Sequence, residues 1–433
     1  MPLGAVSNAA VQLPLLVVAL GAFAVVMVCH RRTSFLTRKV VIGASAALML
    51  IAVAAPPSSS KDVWAIVMYG RIVSVHHASP YVHPPAEYGS DPTLARMAPA
   101  WRHTRTVYGP AFTAVSAAGT AVAGDSPLGQ RLFFQLLSAL AVMLALALLA
   151  RRKADAGALA FIGLNPVVAA IVVGGHNDLV VGVAILAAVL SACDRRPALA
   201  GALLAIAVLV KAAAALPLLA VVAWVVARQG WRAGTRVSVV ASTIVLGAYA
   251  LAGGRAAIGP LHDASTYRSK ASVWGFPVSW LERNVFGSQR TDVAGVTTAA
   301  AVAVVILAVV LVASRLHDVD PAIAAGGAAL VYLLGAAYML PWYAGWAIPV
   351  LALAWRSRVA LAAALHAAAL VLVYVDRPGV HSPLLHNVVG TIATHVMPVL
   401  EVAALVALVT VSVRRVAGVL GAHADAKPAR ALA

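Results

Sequence analysis

The sequence predicts an all-α fold, a polytopic membrane bundle of about thirteen helices forming a single domain over residues 1–433. Three observations lead there. The chain is 62% apolar and 11% charged with a mean hydropathy of +0.91, far too little polar surface to cover a water-soluble globule. Its apolar runs recur at the ~20-residue length that a bilayer core demands, with polar punctuation between them. Its short Arg/Lys knots all fall on one side of the membrane when those runs are counted as crossings.

The first run, 12–29, has no basic segment before it and is followed by Arg31 and Arg32, which reads as a retained helix and not a cleaved signal. Arg38 and Lys39 precede the second run, 40–55, so residues 56–126 form a long extracytoplasmic loop. The segment 110–123 inside that loop is apolar too. Counting it as a span would put the Arg151 knot outside, so it is expected as a juxtamembrane helix at the outer surface. Runs 127–149, 156–173 and 179–193 are bounded on the cytoplasmic side by Arg151-Arg152-Lys153 and by Arg195-Arg196. The short runs 198–210 and 212–227 form a hairpin, which puts Lys211 at an outer tip instead of in lipid. After Arg228, Arg232 and Arg236 comes the run 237–253, then a second extracytoplasmic loop, 254–295. Runs 296–314, 321–340, 343–355, 359–375 and 388–413 complete the bundle. Arg315, Arg356, Arg358, Arg414 and Arg415 lie on the same side as the earlier knots, with a cytoplasmic tail at 416–433. The N-terminus is thereby expected outside and the C-terminus in the cytoplasm.

A net charge of +17 invites a nucleic-acid reading. However, 19 of the 32 Lys/Arg belong to the cytoplasmic loops and tail, where they hold orientation and meet anionic lipid. Cys29 and Cys193 sit at cytoplasmic helix ends, which supports neither a disulfide nor a thiolate metal site. Asp318-Val319-Asp320 has the form by which soluble nucleotide-sugar transferases hold a divalent metal, yet Asp320-Pro321 reads as an N-cap followed by Pro at the first helical position. The histidines lack a ligand spacing, so no metal is expected, and no cofactor.

A bundle of Ala, Val and Leu does not require the polar content of the outer loops. Asp62 follows the second run within a few residues, in Ser58-Ser59-Ser60-Lys61-Asp62-Val63-Trp64. A carboxylate there can take a proton from an acceptor hydroxyl, or it can cap a helix; position alone leaves both open. Behind it come Tyr69, Arg71, His76, His77, Pro80, Tyr81, His83, Asp91, Arg102, His103, Arg105 and Tyr108-Gly109-Pro110. This order of acid, Tyr-Gly-Arg, Ser-Pro-Tyr and Tyr-Gly-Pro resembles the GT-C superfamily of membrane glycosyltransferases. More narrowly it resembles the actinobacterial α-mannosyltransferases that use polyprenyl-phosphate mannose in making phosphatidylinositol mannosides, lipomannan and lipoarabinomannan. Three further stretches carry the resemblance. They are Asn165-Pro166 with Gly174-Gly175-His176-Asn177-Asp178, Lys211 ahead of Leu216-Pro217-Leu218-Leu219, and Pro341-Trp342-Tyr343-Ala344-Gly345-Trp346.

The resemblance implies an inverting glycosyltransferase of the cell membrane with an extracytoplasmic active site. Its partners would be a polyprenyl-phosphate sugar donor, a glycolipid or glycan acceptor, and membrane lipid. Asp62 would be the catalytic base, and Lys211, Arg268 and Lys270 would hold the donor phosphate. Tyr69, Arg71, His76, Tyr108, His176, Asn177, Asp178, Trp342 and Tyr343 would line the sugar and acceptor site. Simpler readings stand beside these. Asp178 is well placed to cap the run after it, Pro-Trp-Tyr can be an interfacial anchor, and Arg268 and Lys270 can be ordinary loop charges. Lys211 is harder to dismiss, because an ammonium among Ala, Val and Leu needs a partner. No motif separates mannose from arabinose or glucose. A lipid or solute transporter is the alternative from another class, and the gathering of ionisable residues at one face counts against it.

Overall fold

The computed structural model describes residues 9–57, 60–265, 267–269, 271–275, 280, 300, 302–303, 319–374 and 383–407. All regular structure among them is helical. In chain order the helices are α1 (Ala9–Thr33), α2 (Arg38–Ala54), α3 (Asp62–Ser74), α4 (Pro110–Ala123), α5 (Pro127–Arg151), α6 (Ala156–Gly163), α7 (Pro166–Val173) and α8 (Asp178–Cys193). They continue with α9 (Pro197–Val210), α10 (Ala215–Gln229), α11 (Trp231–Leu251), α12 (Arg255–Ala264), α13 (Pro321–Gly335), α14 (Arg358–Val373) and α15 (Pro383–Thr391). Among the described residues five stretches are long and apolar enough to cross a membrane: Val11–Thr33, Pro127–Arg151, Ala212–Gln229, Trp231–Leu251 and Asn387–Ala407. The pair α6 and α7 makes a sixth if it is one span bent by 40°. The shorter apolar helices α8, α9, α13 and α14 pack among these.

Burial sorts the helices as their composition dictates. Helix α8, apolar nearly all round, is enclosed on most sides, whereas α1 leaves Val18 68% and Val25 62% exposed, as a lipid-facing helix does. Small residues let backbones touch. A Cβ on Gly70 of α3 would lie 2.3 Å from the Ser116 carbonyl oxygen of α4, so these two helices meet without side chains between them.

Proline sets the breaks. The expected run 156–173 is divided at Asn165-Pro166, where Asn165 Oδ1 accepts the Val167 amide at 3.0 Å and caps α7. The expected span 343–355 is not one helix. It is a 3₁₀ turn (Pro341–Trp346), one turn of α-helix (Ile348–Leu351) and a second 3₁₀ turn (Ala352–Ala354), because Pro341 and Pro349 withhold amide donors. The run 296–314 lies almost wholly outside the described residues, as does the tail 416–433.

The first loop is held in place by ion pairs. Arg71 Nε reaches Asp91 Oδ2 at 2.8 Å and its Nη1 reaches Asp125 at 2.5 Å, while His76 Nε2 lies 2.9 Å from Asp91 Oδ2 and its ring stacks on Tyr88 at 4.3 Å. Burial works against the Asp91 anion. The hydrogen bonds from Arg71, from the Thr93 amide and from His76 outweigh it and hold the carboxyl below its ordinary range. An Arg105–Asp263 pair at 2.5 Å ties this loop to α12 of the second loop.

Candidate active site

Helix α3 begins at Asp62, and the Asp62 amide donates to Ser60 Oγ at 3.1 Å. Ser60 therefore supplies the side-chain oxygen at this helix start, which the sequence had left to Asp62 as an option. Asp62, Ala65 and Tyr69 recur at helical spacing and line a cavity of about 440 Å³. Lys211, Tyr108, Trp342 and Tyr343 line the same cavity. Among the described residues lining it, Asp62 is the one carboxylate and Lys211 the one cation. The rest of the wall is aromatic or apolar, with Thr104 and Ser265 as its hydroxyls apart from tyrosine.

Lys211 reaches the cavity because the chain stops being helical there. Helix α9 ends at Val210, Lys211 is extended (φ −148°), and a 3₁₀ turn at Ala212–Ala214 precedes α10. The Tyr108-Gly109-Pro110 turn rests on this break: the Gly109 amide donates to the Val210 carbonyl at 3.2 Å, and a Cβ on Gly109 would lie 2.2 Å from the Leu209 oxygen. The Lys211 ammonium lies 4.4 Å from the Tyr343 ring centroid and 5.6 Å from those of Tyr108 and Trp346. It donates to Asp178 Oδ1 at 3.1 Å, and the Trp346 indole N–H donates to the same oxygen at 2.6 Å. His176 stacks on Trp342 at 4.1 Å with the planes 14° apart.

The two tyrosines near Asp62 stay neutral. Burial pushes the Tyr69 phenol above its ordinary range, with Tyr267 and the Asp62 carboxylate adding to the effect, and Tyr69 Oη donates to the Thr104 carbonyl at 2.8 Å. Burial also raises Tyr108, and there Asp62 and Asp178 both add to it.

The structure thus brings Asp62, Tyr69, Tyr108, Lys211, Trp342 and Tyr343 to one cavity, with His176 and Asp178 directly behind its wall. Arg71 and His76 are not among the lining residues, being engaged with Asp91. Asn177 is buried just before α8, and its Nδ2 has no hydrogen-bond partner among the described residues. Arg268 adjoins the cavity-lining Tyr267 without lining the cavity itself, and Lys270 lies outside the described residues. The residue pattern did not single out Trp101, Thr104, Tyr338 or Trp346 as site residues, yet all four line the cavity. Trp346 was legible in part, since it closes the turn that carries Trp342 and Tyr343; Trp101 ends a single 3₁₀ turn (Pro99–Trp101) and Thr104 sits in irregular chain, whose path no periodicity reveals.

Comparison with curated proteins and with solved structures gives no match. The model of the MptA_B family, described as the alpha-(1->6)-mannopyranosyltransferase N-terminal domain, matches residues 2–228, more than half of the chain and the part that holds Asp62, Asp178 and Lys211. The chain therefore belongs to that family of glycosyltransferases and is an α-mannosyltransferase.

Proposed function

We propose that the enzyme transfers mannose, with inversion, from a polyprenyl-phosphate mannose to a mannosyl residue of a glycolipid or lipoglycan on the extracytoplasmic side of a multi-pass membrane bundle. The observation that carries this reading is the pairing of one carboxylate and one ammonium in a largely apolar, aromatic-walled cavity. A prenyl chain suits such walls, a phosphate suits the ammonium, and sugar rings suit the faces of Trp and Tyr.

In the proposed reaction the acceptor hydroxyl gives its proton to the Asp62 carboxylate as its oxygen bonds to the anomeric carbon. The bond from that carbon to the phosphate oxygen breaks, and the electron pair leaves with the polyprenyl phosphate. Lys211 stabilises the charge gathering there, with Arg268 and Lys270 as further cations of the second loop. Tyr69, Tyr108, Trp342 and Tyr343 position the sugars, and His176 backs Trp342. An α product formed with inversion requires a β-linked donor, and the family description points to an α-(1→6) linkage.

The test is transfer by purified protein offered polyprenyl-phosphate mannose, arabinose and glucose with a short α-mannoside acceptor. Mannose transfer giving an α-(1→6) product is expected. Folded protein that moves none of the three sugars overturns the reading.

A further inference from the structure

Asp178 resembles a substrate ligand in sequence, but its placement suits another role. It does not line the cavity, and its side chain is 1% exposed, against 13% for Lys211. It opens α8, where the positive end of the helix favours an anion. It is also walled in. A Cβ on Gly345 would lie 3.0 Å from the Asp178 carbonyl carbon and 3.1 Å from its Cβ, so the turn Pro341–Trp346 passes directly over it. The Trp346 indole then fixes Oδ1 at 2.6 Å. The anion is thus the walled-in partner, and the lysine, on an extended stretch of chain, is the one that reaches the cavity.

An ammonium in apolar surroundings keeps its charge and place only with a counter-ion or dense polar contact. Among the described residues Asp178 is the one hydrogen-bond acceptor of Lys211. An ammonium carries three N–H groups, so this bond leaves two for a ligand at the cavity that Lys211 lines. We infer that Asp178 is a positioning residue: it holds the Lys211 ammonium at the cavity wall, ready for the donor phosphate, and touches neither sugar nor acceptor itself. The inference rests on the proposed phosphate role of Lys211.

The test separates the two claims. Binding of farnesyl phosphate, a short prenyl phosphate without sugar, is measured for the parent protein, Asp178→Asn, Lys211→Met and the double variant, together with donor and acceptor KM. Each single variant is expected to weaken farnesyl phosphate by about 10-fold or more, as the loss of a charge-assisted contact does. The double variant is expected to match Lys211→Met, because Asp178 acts only through the lysine. In Asp178→Asn the donor KM rises and the acceptor KM stays.

If Asp178→Asn does not fold, the comparison of Lys211→Met with the double variant still decides. Equal binding supports the inference, and a further loss of about 5-fold or more overturns it. Unchanged farnesyl phosphate binding in Asp178→Asn together with a raised acceptor KM also overturns it, while the phosphate role of Lys211 stands. Unchanged binding in Lys211→Met overturns the phosphate role, and the inference with it.

Discussion

The substitution that bears most directly on the proposed chemistry is Asp62→Asn. Asparagine keeps the shape of aspartate, and the structure shows why the helix start should survive: Ser60 Oγ, not the side chain at 62, takes the Asp62 amide at 3.1 Å. What the fold loses is a negative charge in the first turn of α3, worth about 0.3–1 kcal/mol against the helix dipole. What the reaction loses is its proton acceptor. General-base contributions run at roughly 10²–10⁴-fold, or about 2.7–5.4 kcal/mol of activation free energy. No second carboxylate among the described cavity-lining residues can take over, and Asp178 is held behind the wall by Lys211 and Trp346. Single-turnover mannose transfer at saturating donor, with donor affinity and the thermal midpoint in detergent measured alongside, should show a rate lower by that factor at nearly unchanged binding and stability. Turnover within about tenfold of the parent would refute the assignment and move the base elsewhere.

Three further outcomes are expected. Gly182→Ala would place a Cβ 2.0 Å from the Gly345 oxygen and 2.7 Å from Pro349 Cγ; the thermal midpoint should fall by the equivalent of about 1–3 kcal/mol, and donor affinity with it as the Trp346 turn is displaced. Asp91→Asn should loosen the first loop by about 3 kcal/mol, read as faster proteolysis there, since Asp125 is 82% exposed and cannot replace a buried partner of Arg71. The carboxyl of Asp91 is held below its ordinary range, so its stabilisation is complete above the unfolded carboxylate value near pH 4. That stabilisation is lost as pH falls through the lower folded value, and a loop whose acid sensitivity is the same in Asp91→Asn would refute this. In a background lacking Cys29 and Cys193, cysteine at position 90 should react with an impermeant reagent from outside and cysteine at 230 should not; the reverse pattern would remove the extracytoplasmic placement of the site.

Much of the helical order follows from one-dimensional properties. The expected run 127–149 is the helix Pro127–Arg151, 198–210 is Pro197–Val210, and 110–123 is Pro110–Ala123, because hydrophobic length and Pro or Ser punctuation are local. Lys211 stood out for a similarly local reason, being a charge where an apolar run gives no cause for one, whereas Asp62 stood out by the order of polar residues that follows it. Length alone did not disclose that 343–355 breaks into turns, since apolar composition is shared by a spanning helix and by a buried irregular segment whose amides find partners inside the protein. Pairing lay further out of reach. Asp178 meets Lys211 across 33 residues and Trp346 across 168, and Arg71 meets Asp91 instead of facing the cavity. The sequence by itself determined which residues are costly to place in an apolar bundle. Only the tertiary structure decided which of them satisfy one another and which face an open cavity, because the partner of a buried charge is chosen by the packing of distant helices and not by its neighbours in the chain.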